Sequence, residues 1–162
     1  MKSVFLLSFF TLSVTLSYGQ KESEPPIAEL GAAINKGLKD GSFSYGPNLG
    51  IEFTPIDEWL EIEMDLTPLT DGHSTEWTFD VLFKKPFTLS EKFEFMAGIG
   101  PEFSYSKADN TTIGLEIAGD FMYWPFKTKK WGLYLEPDYD IDFAKGNNQS
   151  IGLSGGVLIP FR

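Results

Sequence analysis

The chain contains no cysteine, which excludes disulfides, thiolate chemistry and a lipid anchor on an N-terminal cysteine. It has a single histidine, His73, so no histidine pair is available to hold a metal, and no glycine-rich phosphate loop occurs. The glycines of "GIGPEF" at 98–103 fall inside an alternating run and read as small inward positions. Long apolar runs are also missing. The longest, Val4 to Leu16, falls short of the roughly 20 residues that a membrane-spanning helix needs. Basic residues are scarce, at 13 against 23 acidic ones for a formal net charge of −10, and they form no stripe, which argues against a nucleic-acid partner. After residue 40 no segment carries a convincing helical period.

What is present begins with an export signal. Lys2, the apolar run that follows it, and small residues at Ser17 and Gly19 predict a signal peptide over 1–19. The remaining 20–162 read as one domain of eight alternating runs, at about 27–35, 44–54, 59–67, 75–84, 92–105, 111–124, 130–143 and 150–161. The first, "IAELGAAIN", is one that a helix could also claim. An even number of antiparallel strands of about 9 to 11 residues, behind an export signal, predicts an all-β, eight-stranded antiparallel up-and-down transmembrane barrel in a Gram-negative outer membrane. Both termini would lie on the periplasmic side.

Alternation sorts the side chains into two faces. One collects large apolar residues such as Tyr45, Phe53, Leu66, Trp77, Phe83, Ile99, Phe121 and Leu135; the other collects glycine, serine and fourteen of the acids. No lysine or arginine is assigned to the second face, and Lys84, Lys85, Lys127, Lys129 and Lys130 are placed at periplasmic turns, either beside acidic lipid headgroups or simply solvated. The same period fits a soluble lipocalin-like periplasmic barrel of opposite polarity. Volume favours the membrane barrel, because eight strands enclose only enough room to be filled by side chains, and more than thirty large apolar groups would overpack it. Aromatic residues also gather toward strand ends, as at Trp77 and Phe83 or Trp131 and Phe143, as expected of interfacial girdles.

Four segments, "HSTEW" at 73–77, "LFKKPF" at 82–87, "YLEPDYD" at 134–140 and "SIGLSGGVLIP" at 150–160, resemble those of a family of small eight-stranded bacterial outer-membrane β-barrel proteins. The resemblance spans most of the chain beyond the leader and implies a barrel fold without a catalytic signature. The last strand also resembles an outer-membrane assembly signal, with Ile151, Leu153, Val157, Ile159 and Phe161 in alternation before Arg162. The implied partners are outer-membrane lipid and lipopolysaccharide and the assembly machinery, around a monomer.

The chemistry-bearing residues are few. "DGHSTEW" sets His73 beside Ser74 and near Glu76, a constellation that a rim-located lipid A-modifying enzyme would use. Neighbours on a strand point to opposite faces, so the competing reading is a turn in which Ser74 bonds the backbone. Too many carboxylate pairs exist to single out one for glycoside hydrolysis. The carboxylate ladder of "GLYLEPDYDIDF" at 132–143 is more specific. Same-face neighbours on a strand lie about 7 Å apart, so these like charges need protons or counterions. Glu116, Asp120, Glu136, Asp138 and Asp140 are candidate ligands for a divalent cation such as Ca2+, and the competing reading is a hydrated lumen neutralised by protons and mobile ions. No organic cofactor is indicated. A structural or surface-interaction role without catalysis is the expected function, and eight strands leave no open pore.

Overall fold

The computed structural model describes residues 25–107, 110–143 and 148–161. The expected signal peptide lies outside the described residues, as does Arg162. Eight strands follow in order: β1 (Ile27–Gly37), β2 (Phe43–Ile56), β3 (Leu60–Thr70), β4 (Thr75–Thr88), β5 (Phe93–Ser106), β6 (Asn110–Tyr123), β7 (Gly132–Asp142) and β8 (Asn148–Pro160). Each pairs antiparallel with its sequence neighbours, and β1 closes on β8 from Ile27↔Pro160 to Gly37↔Ser150. The segment that a helix could claim is thus a strand paired on both sides. Closure leaves no unpaired sheet edge, which is the condition for placing strands in hydrocarbon.

The chief difference in boundaries is at β4, which was expected to end at residue 84 and runs to Thr88. The lysine pair and Pro86 have the composition of a strand end, yet Pro86 lies within the ladder opposite Met96. Pro47, Pro68, Pro101 and Pro137 are likewise inside strands. Proline removes one ladder donor, and both neighbours of each strand hold it in place regardless.

The polarity of the wall follows volume. Leu30, Leu49, Leu66, Phe79, Ile99, Ile117, Leu135 and Ile151 are exposed on the outside, while Glu29, Glu52, Glu63, Asp65, Asp80, Glu116, Asp120, Glu136 and Asp140 are buried inside. The soluble inverted barrel is thereby overturned, since a water-facing wall of this composition would be one continuous apolar patch. Aromatic rings band the outer surface. Phe43, Tyr45, Trp77, Tyr105 and Phe143 mark the end away from the termini, and Trp59, Phe87, Phe93, Phe126 and Trp131 mark the end near them. At the latter the rings touch across strands, Phe93 with Tyr123 at 4.9 Å and Phe95 with Phe121 at 4.8 Å between centroids. Aliphatic side chains lie between the bands, so the exterior is shaped to a bilayer with its interfaces at the two rings.

Candidate functional site in the barrel lumen

The inner wall changes character along the barrel axis. Nearest the termini it is apolar: Ile27, Met96, Met122, Trp124, Tyr134 and Leu158 form one buried cluster. Trp124 is 1% exposed and plugs the mouth. Its indole Nε1 donates to Glu94 Oε2 at 2.7 Å, and its backbone N–H donates to the Lys92 carbonyl at 2.8 Å. Lys129 pairs with Glu94 Oε1 at 2.7 Å and sits 5.4 Å from the Trp124 ring centroid. The connection from β6 to β7 is therefore strapped across the opening, and glycine at 132 leaves room for it, because a Cβ there would come within 2.8 Å of the Trp124 ring. These apolar residues share the parity of the acids, so the lumen is not uniformly polar as the sequence suggested.

Above the plug stands the feature that departs most from expectation. Lys84, placed by the sequence at a turn, points into the lumen and is completely buried. Its ammonium donates to Glu63 Oε2 at 2.6 Å and to Glu136 Oε2, and lies 3.9 Å from Asp120 Oδ2. It follows Leu82 by two residues and so takes the parity of Thr78 and Asp80; the misread strand end concealed this. Gly98 is its cross-strand partner, and a side chain there would run into the lysine stem. An unpaired ammonium in such a place would be several kcal/mol unfavourable, and two carboxylates drawn from opposite walls remove that penalty.

Toward the other end the lumen opens into a small polar cavity of about 50 Å³ lined by Asp65, Asp80, Glu102, Glu116, Asp138 and Asp140. Hydrogen bonds knit its sides. The Tyr134 hydroxyl donates to Asn48 Oδ1 at 2.8 Å, Asn48 Nδ2 donates to Thr67 Oγ1 at 3.0 Å, and Asn35 Nδ2 donates to Asp140 Oδ2 at 3.1 Å.

The five candidate cation ligands do not form one set. Glu116 and Asp140 are Cα partners and gather with Glu102. Glu136 gathers with Glu63 and Asp65 around Lys84, and Asp120 joins Glu29, Glu52 and Glu63 lower down. Asp138 belongs to none of these groups. Glu29 was missed because β1 was the least certain strand, although its two-residue offset from Ile27 places both on one face.

At the far rim, residues 71–74 form a turn. Asp71 Oδ1 accepts from the backbone of His73 at 2.8 Å, and from the backbone and hydroxyl of Ser74 at 2.7 and 3.3 Å. Gly72 has φ +89°, a conformation that side chains disfavour. Bonds from the Ser74 and His73 N–H groups hold the Asp71 carboxyl below the usual carboxylate range. The serine hydroxyl thus serves Asp71 and the turn, with no bond to the imidazole.

Comparison with solved structures places this geometry. Neisserial surface protein A superposes with a TM-score of 0.67 at 16% identity, over 84% of this chain and 97% of that one. The fold is that of the small outer-membrane β-barrels. Two further outer-membrane barrels agree. Ail, the attachment invasion locus protein of Yersinia pestis, matches with a TM-score of 0.58 and 14% identity, over 85% of this chain and 99% of Ail. The N-terminal β-barrel domain of Pseudomonas aeruginosa OprF matches with 0.58 and 12%, over 85% of this chain and all of that domain. No protein-family model matches the sequence, and no curated relative does.

Proposed function

We propose that this chain is a monomeric integral outer-membrane β-barrel with a structural and surface-interaction role, whose lumen is a hydrated acidic cup closed at the periplasmic end. The observation that carries this reading is the pairing of a lipid-shaped exterior with a lumen sealed by Trp124 and filled by ion-paired side chains. Partner contact would fall to the surface end, where β1 connects to β2, β3 to β4, β5 to β6 and β7 to β8. Lipid and lipopolysaccharide would surround the outer wall, and the assembly machinery would receive the last strand. Of the periplasmic lysines, Lys127 pairs in solvent with Glu91 at 2.7 Å, which fits a solvated turn better than a headgroup site. No catalytic step is assigned, because the rim turn uses Asp71 and Ser74 for its own hydrogen bonds.

The test is biochemical. The purified protein is expected to require detergent, to migrate differently on a gel before and after boiling, and to give no steady single-channel current in planar lipid bilayers. Release from cells by buffer without detergent would overturn the membrane reading, and a stable open-channel current would overturn the closed lumen.

A further inference from the structure

We propose that Glu29, Glu52, Glu63 and Asp120 form an internal binding site for one divalent cation of the Ca2+ class, set between the apolar plug and Lys84. The four residues come from β1, β2, β3 and, across the lumen, β6. Glu52 and Glu63 are direct Cα partners, and Glu29 sits opposite Gly50, whose missing side chain leaves room beside it. One carboxylate oxygen from each of the four lies within 4.8 Å of the other three. Oxygens that share one Ca2+ at about 2.4 Å stand no more than about 4.8 Å apart, and these four meet that condition.

The second observation is that these oxygens have nothing else to bind. Both oxygens of Asp120, Oε1 of Glu29, Oε2 of Glu52 and Oε1 of Glu63 are buried without a hydrogen-bond partner, and Asp120 and Glu63 are 0% exposed. Lys84 does not resolve this, since its short contacts go to Glu63 and Glu136 and it stands 3.9 Å from Asp120. Protonation would remove charge from the group, but an aspartic acid with two unbonded oxygens remains unsatisfied in either form. A hard cation answers both demands at once. An all-carboxylate donor set suits Ca2+ over softer metals, and over Mg2+, which keeps most of its own water.

A cavity of about 90 Å³ at the end nearest the termini is lined by Glu52, Thr54, Glu61, Glu94 and Met96, and so touches one of the four ligands. The other two acidic groups are weaker candidates. In one, both oxygens of Glu136 are engaged, by Lys84 and by Ser154 at 3.5 Å, whereas Glu63 keeps one oxygen free; in the other, Ser104 donates to Glu102 and Ser150 to Asp140, each at 3.0 Å.

The site needs the closed barrel, because Asp120 meets Glu29 only across the lumen, but not the surface role proposed above. The full chain, folded in detergent and stripped with EDTA, would be titrated with Ca2+ alone by calorimetry and by thermal melting, in excess Mg2+ to suppress surface binding. We expect one Ca2+ per chain and a rise in melting temperature. Asp120→Asn and Glu29→Gln should each weaken binding by at least about tenfold while retaining heat-modifiable migration, and Glu102→Gln should leave it unchanged. Heat-modifiable migration reads the barrel independently of the metal. Absence of stoichiometric binding to the folded wild type would overturn the proposal, and so would binding that survives both substitutions, the outcome for an adventitious ion only. If one variant fails to fold, the other decides.

Discussion

The two halves of the lumen solve the same problem, filling a narrow cylinder, in opposite ways. The half nearest the termini closes on fat: Trp124, Met96, Met122 and Leu158 gather in one buried cluster. The half away from the termini uses charge and hydrogen bonds, with acids facing acids across the ladder at Asp65↔Asp80, Asp80↔Glu102 and Glu116↔Asp140. Like charges directly opposite each other destabilise a sheet pair, so these rungs are strained, as is Glu52↔Glu63 nearer the plug, and Lys84 stands where the apolar and acidic regions meet. The lesson is that parity sets only whether a residue points inward. What it meets there depends on height along the axis.

Three substitutions probe this contrast, in order of expected effect. Lys84→Met keeps the stem and removes the charge, stranding Glu63 and Glu136; breaking a buried pair in this way is worth about 3 to 5 kcal/mol, read as a lower urea midpoint in detergent. Adding Glu63→Gln and Glu136→Gln to it should recover much of the loss. A single Lys84→Met variant as stable as wild type would mean that the acidic half is neutralised without the lysine. Trp124→Ala should cost about 3 kcal/mol through the cavity it leaves, and should admit small-ion leak in a bilayer that wild type does not show. If leak appears with Lys84→Met and not with Trp124→Ala, the seal lies in the charged layer and not in the plug. Tyr134→Phe sits at the boundary, keeping the ring in the apolar cluster while orphaning Asn48 Oδ1; it should cost about 1 kcal/mol and leave conductance at zero. A larger loss would mean that the bond organises the acidic half beyond Asn48.

Much of this molecule was readable from the order of its residues. Eight strands, their sequential pairing and the outward apolar face follow from period two and from the volume of a small barrel, and the ladder Glu136, Asp138, Asp140 and Asp142 lies on β7 as read. Lys84 is hard to read because a lysine followed by Lys85 and Pro86 has the composition of a turn, although its parity is inward. Met96, Met122 and Trp124 share the inward parity but not the polarity that marks the rest of that face. The grouping of the acids could not be read at all: that Asp120 meets Glu29 and not Glu116 depends on strand tilt and on which walls face each other across the barrel, which no single strand encodes.

The bond from Lys84 on β4 to Glu136 on β7, and that from Tyr134 on β7 to Asn48 on β2, also bear on the order of assembly. Neither joins neighbouring strands. In a sheet still open between β1 and β8 these partners are held apart, and each forms only when the sheet curls shut. Closure then satisfies the lysine, the tyrosine and the seam in one event. A half-zipped sheet has no partial version of that gain to hold it, so the barrel should open and close as a single unit with few stable stopping points between.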